Sequence, residues 1–242
     1  MGCILKGGGG LYTRLTVGAV LLAAGAGSRL GGRPKSLLEL GGVPLIRRLL
    51  IALSGAGVDE LVVVLGHHAD LIEPQVSSFP VTVVRNPRPD DGQESSLRCG
   101  LAALGGKLDA VLVALADQPL INAQDISSLV GAWKQRSAGS QVLVPRVAGE
   151  PGNPVIFSAD VREQILAGGP GVGCRQWRAA HPAAVAHFDT DNRRFKVDID
   201  SPEDIAALAQ STGHVLRWPA ALAQAAPSSA PQAWLRPSDL AR

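Results

Sequence analysis

The chain has 242 residues, 46% of them hydrophobic and only 4% aromatic, with a formal net charge of +2. Acids and bases are interspersed without a basic stripe, which argues against a nucleic-acid track, and pairs such as Arg47-Arg48 and Arg193-Arg194 read as solvated faces. Cys3, Cys99 and Cys174 lack CxxC spacing and no apolar run reaches the roughly 20 residues of a membrane span, so a reduced, cytoplasmic setting away from membranes is expected.

Residues 1–16 carry four consecutive glycines, Gly7–Gly10, and are expected to be a flexible extension. Met1-Gly2-Cys3 is not read as a lipidation signal, because Lys6 stands where N-myristoylation requires Ser or Thr. Val17–Ala24 is a continuous apolar run, the pattern of a strand buried on both faces, and it stops at the glycine-rich stretch Gly25–Gly32. Pro44 opens a helix whose Leu45, Leu49 and Leu53 repeat every four residues until Gly55 and Gly57. Leu61–Leu65 and Val81–Val84 read as further buried strands, with a brief helix between His67 and Ser78.

Gln93–Leu104 has helical periodicity, and Ala110–Leu115 is a strand running into Ala116-Asp117. Asn122 is the expected N-cap of a helix that continues to about Arg136. Gln141–Val144 and Pro154–Phe157 are predicted strands, the second after the turn Pro151-Gly152-Asn153. Helices over Ala159–Ala167 and Arg175–Ala180 follow, then strands over Val185–Phe188 and Phe195–Ile199. Ser201-Pro202-Glu203-Asp204 starts a last helix, with an N-cap serine, proline at the first helical position and acids in the first turn. Strands alternating with helices predict a three-layer α/β domain with a mostly parallel sheet over 17–210. The tail 211–242, rich in Ala, Pro and Ser, is expected to be peripheral, with Trp218 and Trp234 as anchors to the surface or to a partner.

The stretch Leu22-Ala23-Ala24-Gly25-Ala26-Gly27-Ser28-Arg29-Leu30-Gly31 ends a strand with small residues and adds a cation, and Pro34-Lys35 adds another. Glycines let backbone amides approach a phosphate, and the two cations neutralise it. The dinucleotide fingerprint GxGxxG is not met, because Leu30 replaces the third glycine and Leu65-Gly66 replaces the acid that ends the second strand. The GxxxxGK[ST] loop is not met either, since Pro34 precedes Lys35-Ser36.

AAGAGSRLGGRPK resembles the signature of the molybdenum-cofactor nucleotidyltransferases and the wider MobA-like NTP transferases, roughly AAGxSxRMGxxK, with Leu30 in place of the usual Met. It is closer to the cytidylyltransferase branch than to the guanylyltransferase branch, which reads LAGG where this chain has Leu22-Ala23-Ala24-Gly25. Four later stretches resemble the family in the same order: Gly92–Leu101 (GxxSSLxxGL), Asp117-Gln118-Pro119 (DQP), Gly149–Pro154 (GxxG[HN]P) and Asp198–Asp204 (DIDTPED). Where family members read GDxGAR, this chain has Pro170-Gly171-Val172-Gly173-Cys174-Arg175, with Gly171 at the acid.

The resemblance spans roughly Val17–Ile205 and implies a Rossmann-like three-layer α/β/α fold with a mostly parallel mixed sheet. It implies NMP transfer from an NTP, CTP being favoured, to the phosphate of a molybdopterin-type acceptor. Arg29, Lys35 and Asp117 would be catalytic, with Mg²⁺ on Asp117, Asp200 and Asp198. Ala23, Ala24, Gly25, Gly27, Ser28, Gly92 and Ser96 would contact the nucleotide, and Gly152, Asn153 and Arg175 the acceptor. Alternatives are a GTP donor, a sugar- or polyol-phosphate acceptor, and, from another class, a non-catalytic chaperone that hands cofactor to a molybdoenzyme. An NAD(P)-dependent oxidoreductase is disfavoured by Leu30 and the missing acid. His67-His68 has no partner at metal-binding spacing and reads as loop, and Cys99 reads as a small core residue.

Overall fold

The computed structural model describes residues 14–223; Cys3, the Gly7–Gly10 run and Trp234 lie outside them. The strands are β1 (Val17–Ala23), β2 (Glu39–Leu40), β3 (Val43–Pro44), β4 (Glu60–Leu65), β5 (Thr82–Arg85), β6 (Ala110–Leu115), β7 (Val142–Val147), β8 (Glu150–Pro151), β9 (Val155–Ser158), β10 (Val185–Asp189) and β11 (Leu216–Arg217). The helices are α1 (Leu45–Gly55), α2 (Ala69–Val76), α3 (Gln93–Ala103), α4 (Ala123–Lys134), α5 (Ala159–Ala167), α6 (Cys174–Ala180), α7 (Pro202–Thr212) and α8 (Ala220–Ala223).

The main sheet runs β10-β7-β9-β6-β1-β4-β5, with β8 paired to β7. β1 lies parallel to both β4 and β6, β5 is parallel to β4 and β10 to β7, while β9 is antiparallel to β6 and β7. The sheet is therefore mixed and mostly parallel, as the alternating pattern predicts. Side chains of β1 alternate between the two faces. Ala19 and Leu21 pack with Ile46, Leu49, Leu53, Leu129 and Trp133 of α1 and α4, whereas Val20 and Leu22 pack with Leu97 and Leu101 of α3 and Val161 and Ile165 of α5. Helices cover both faces, which is why the central strands read as unbroken apolar runs.

The predicted α4 cap is present as a capping box. Asn122 accepts from the amides of Gln124 and Asp125, and Asp125 returns a bond to the Asn122 amide. Ser201 and Asp204 form a second box at the start of α7. Phe195–Ile199 departs from the strand expectation. Arg193–Lys196 is a short 3-10 turn, and the peptides that follow bond to loops rather than to a ladder. The Asn153 amide donates to Phe195 O at 2.9 Å and the Ile199 amide to Asp117 O at 3.0 Å. The apolar alternation in FKVDI reflects Phe195 and Ile199 entering two different cores, not strand pairing.

Residues 211–223 contain β11, which pairs with β2, and Leu216 is buried beside Leu30, Leu38, Leu45 and Ile199. The Arg33 guanidinium lies 4.2 Å from the centre of the Trp218 ring. This part of the tail holds the underside of the glycine-rich loop. No helix among the described residues is long and apolar enough to cross a membrane.

Candidate active site

β1 sits between β4, the next strand of this sheet along the chain, and β6, which it reaches after crossing back. The carboxyl ends of these strands form a switch point, where an open α/β sheet leaves a crevice for ligand. The crevice is a cleft of about 470 Å³, within the range of small-molecule sites. Ala24 and Gly25 enter it from β1, Asp117 from β6, Gly92 and Ser96 from the start of α3, and Lys35, Asn153, Arg175, Asp198 and Asp200 from loops.

Of the remaining sequence-predicted residues, Ala23 lines a small recess shared with Pro34, Lys35 and Asp117. Arg29 is exposed and reaches the site through Asp200. Gly27 shapes the loop: its φ is +64°, and a Cβ there would stand 1.9 Å from the Arg33 carbonyl oxygen. Ser28 opens the short turn Ser28–Leu30 on the exposed side of the loop. Gly152 does not line the cleft; it lies against the Phe195 backbone, where a Cβ would approach Phe195 O to 2.5 Å.

The charged centre is a bridge. The Lys35 ammonium contacts Asp117 Oδ2 and donates to Asp200 Oδ1 at 2.7 Å, and Arg29 Nη2 donates to Asp200 Oδ2 at 3.2 Å. Asp117 is 7% exposed, and its Oδ1 is buried with no hydrogen-bond partner. Burial pushes the Asp117 carboxyl upward, the Lys35 ammonium opposes that, and Asp198 and Asp200 add to the rise. For Lys35, burial works against the charged form, yet Asp117 and Asp200 together hold its ammonium above the ordinary lysine range. The Lys35 hydrogen bond holds Asp200 below the usual carboxylate range.

Among the described residues no three His, Cys, Asp or Glu side chains cluster to hold a metal by themselves. The arrangement does suit a cation that takes one or two carboxylates and completes its shell with phosphate oxygens and water. An orphaned buried carboxylate oxygen beside two further acids meets that description.

Two further side chains brace the site, Asn86 from outside every motif and Gln118 from within the DQP stretch. Asn86, at the carboxyl end of β5, donates to Ser95 Oγ at 2.8 Å and Ser96 Oγ at 3.0 Å, fixing the start of α3. Gln118, 2% exposed, donates to Asn153 O at 3.0 Å and ties the β6 loop to the Gly149–Pro154 turn. A second chamber of about 330 Å³ adjoins the cleft, with Leu22, Val113, Leu115 and Val155 as apolar wall and Glu94, Arg175 and Arg178 as charged rim.

The family model "MobA-like NTP transferase domain" matches residues 19–186, from within β1 to the start of β10. The chain belongs to this family. Nucleotidyl transfer is accordingly its class of chemistry. A protein named Nicotine blue oxidoreductase from Paenarthrobacter nicotinovorans is 32% identical over 79% of this chain and 96% of its own length. The Bifunctional protein GlmU of Kineococcus radiotolerans is 35% identical over 55% of this chain, which spans only 28% of that relative. Among solved structures, a nucleotidyl transferase from Methanothermobacter thermautotroptrophicus superposes with a TM-score of 0.66 at 29% identity, covering 81% of this chain and 96% of that one. Rv0371c from Mycobacterium tuberculosis superposes with a TM-score of 0.68 at 25% identity, covering 82% and 100%.

Proposed function

We propose that this MobA-like transferase moves CMP from CTP to the terminal phosphate of a molybdopterin-type acceptor in the cytoplasm, releasing pyrophosphate, with Mg²⁺ as its metal. The observation that carries the reading is the Lys35 bridge between Asp117 and Asp200, beside an unpartnered Asp117 Oδ1, in the lining of a cleft that Ala24 and Gly25 also wall. Asp117 and Asp200 would hold the metal, with Asp198 nearby; when bound, the metal neutralises triphosphate oxygens. Small side chains at Ala23 and Ala24 leave room for a base edge, and CTP is favoured because Leu22-Ala23-Ala24-Gly25 resembles the cytidylyltransferase branch rather than the LAGG of the guanylyltransferases.

An acceptor phosphate oxygen attacks the α-phosphorus, forming a new P–O bond as the α–β bridging P–O bond breaks. Pyrophosphate takes the bonding electron pair. The phosphate monoester is already an anion near neutral pH, so no side chain needs to remove a proton. Lys35 and Arg29 stabilise the negative charge that grows on the α-phosphate and on pyrophosphate, and rate then depends on position and preorganised charge. The acceptor body is assigned to the second chamber, with Arg175, shared by both chambers, at the junction.

The test is a thermal-shift titration of CTP, GTP, ATP and UTP with and without Mg²⁺, followed by pyrophosphate release with a molybdopterin acceptor. A Mg²⁺-enhanced shift selective for CTP, abolished turnover in Asp117→Ala and a kcat lowered about 10²–10³-fold in Lys35→Ala are expected. A GTP-selective shift moves the chain to guanylyl transfer, and near-normal turnover in Asp117→Ala sinks the assignment of that carboxylate. A second reading draws on the 32% identity to the relative named an oxidoreductase. It requires a nicotinamide dinucleotide in the same cleft and predicts a substrate-dependent change in reduced-nicotinamide absorbance.

A further inference from the structure

His67 and His68 lie just past the carboxyl end of β4, between the two loops that wall the cleft. His68 Nε2 is 3.0 Å from the carbonyl oxygen of Ala26, in the middle of the glycine-rich loop. A carbonyl oxygen only accepts, so Nε2 carries the proton and the imidazole is the donor. His67 Nε2 lies 3.1 Å from Asp90 Oδ1, in the loop that leads into Gly92 and α3. Gly66 fills the space between the same loops. A Cβ on it would stand 2.6 Å from Ala24 O and 2.9 Å from Pro89 Cβ. Three consecutive residues thus touch both walls of the cleft.

We propose that Gly66-His67-His68 is a clasp that sets the separation of the two nucleotide-binding loops, and that His68 is a positioning residue for the triphosphate, acting through the Ala26 carbonyl. The Ala26 carbonyl and the Gly27 N–H belong to one planar trans peptide and point in opposite directions. Holding the carbonyl toward His68 therefore fixes the Gly27 amide on the other side. Glycines on both sides of Ala26 leave the loop little stiffness of its own. An anchored loop binds phosphate without first being ordered, and that saving appears as affinity. The inference rests on the reading that the cleft takes an NTP.

The experiment compares His68→Leu and His68→Gln with the wild-type chain. The Gln amide places a donor near the position of Nε2, whereas Leu keeps bulk without a donor. His68→Leu is expected to weaken binding of the best of the four triphosphates, measured calorimetrically with Mg²⁺, by about five- to tenfold, the scale of one donated hydrogen bond. KM for the nucleotide should rise by a similar factor with kcat much less affected. Hydrogen exchange over residues 24–32 should quicken in His68→Leu, and His68→Gln should restore both affinity and protection. The His67 arm contacts an exposed carboxylate, so His67→Ala should change affinity less than about threefold.

Wild-type affinity in His68→Leu overturns the clasp, as does a His68→Gln variant as weak as His68→Leu, which would assign the effect to ring packing. If the wild-type chain binds none of the four triphosphates, the nucleotide reading falls and the positioning role with it. Unaltered variants against a wild-type chain that binds overturn the clasp alone.

Discussion

Replacing Lys35 by Met tests the charged centre without any substrate. The side chain keeps its length, but the ammonium that Asp117 and Asp200 share is gone. Asp200 is one-third exposed and retains Arg29, so water and that guanidinium soften its loss. Asp117 has neither relief, being buried with one oxygen already unpartnered and with Asp198 and Asp200 repelling its charge. Two unit charges about 4 Å apart attract by roughly 4 kcal/mol at an effective dielectric near 20, and removing one partner of a buried pair costs about 3–5 kcal/mol. Lys35 is itself partly exposed, so a loss near 3 kcal/mol at neutral pH is expected in urea unfolding of the ligand-free protein. The carboxyl of Asp117 is pushed up already, and without the ammonium it rises further. The native state then holds a proton that the unfolded state releases, so the deficit grows as pH rises through the new value and shrinks below it. Asp117→Asn, neutral in its own right, should cost about 1 kcal/mol alone and recover about 2 kcal/mol when combined with Lys35→Met. A Lys35→Met chain as stable as wild type at pH 8, or one that Asp117→Asn does not rescue, refutes the argument that this ammonium compensates a buried carboxylate.

Three further outcomes follow from the same geometry. Asp125 accepts from the Asn122 amide, from Asn192 Nδ2 at 2.7 Å and from both Nε and Nη2 of Arg194, so Asp125→Ala should cost about 2–3 kcal/mol in urea unfolding and, by loosening the turn ahead of Asp198 and Asp200, weaken triphosphate binding. Gly27→Ala should lower triphosphate affinity at least about tenfold, since the positive φ and the Arg33 carbonyl both oppose a Cβ and the loop must move; unchanged calorimetric affinity argues against that loop as the phosphate wall. Burial pushes the Cys174 thiol up to about 12, leaving about one thiolate in ten thousand at pH 8, so iodoacetamide followed by mass spectrometry should leave Cys174 unmodified in the folded chain and modified in urea.

The fold was legible wherever a local pattern and its burial agree. Strands β1, β4 and β6 are covered on both faces and read as VGAVLLA, ELVVVL and AVLVAL, and the α4 and α7 starts carry capping residues whose bonds form as their spacing implies. Phe195–Ile199 lacks the expected strand because its alternating apolar residues serve two separate cores, Phe195 one and Val197 and Ile199 the other, a tertiary fact with strand-like periodicity. The pairing of β11 with β2 left no signal, since two-residue strands have no periodicity to read. For the site, acids next to strand ends were visible as Asp117, and ten of the motif residues line one cleft.

Asn86, which no motif contains, and His67-His68, which read as loop, obey the same strand-end rule applied to different neighbours. Asn86 follows β5 and His67-His68 follow β4, as Asp117 follows β6, yet neither pair of histidines nor a lone asparagine advertises chemistry. Their partners are a serine hydroxyl, a backbone carbonyl and a distant carboxylate, and composition and spacing along the chain encode none of these. The charged side chains of the cleft stand in motifs, whereas the donors that hold its loops, His68 and Asn86, follow strands on the other side of β1 from β6. β4 and β5 lie on the side of β1 opposite β6, and the bonds made by His68 and Asn86 involve neither Lys35 nor Asp117. Binding and charge stabilisation are therefore expected to separate: substitution of His68 after β4 or Asn86 after β5 should act on nucleotide affinity, and substitution of Asp117, just after β6, on turnover.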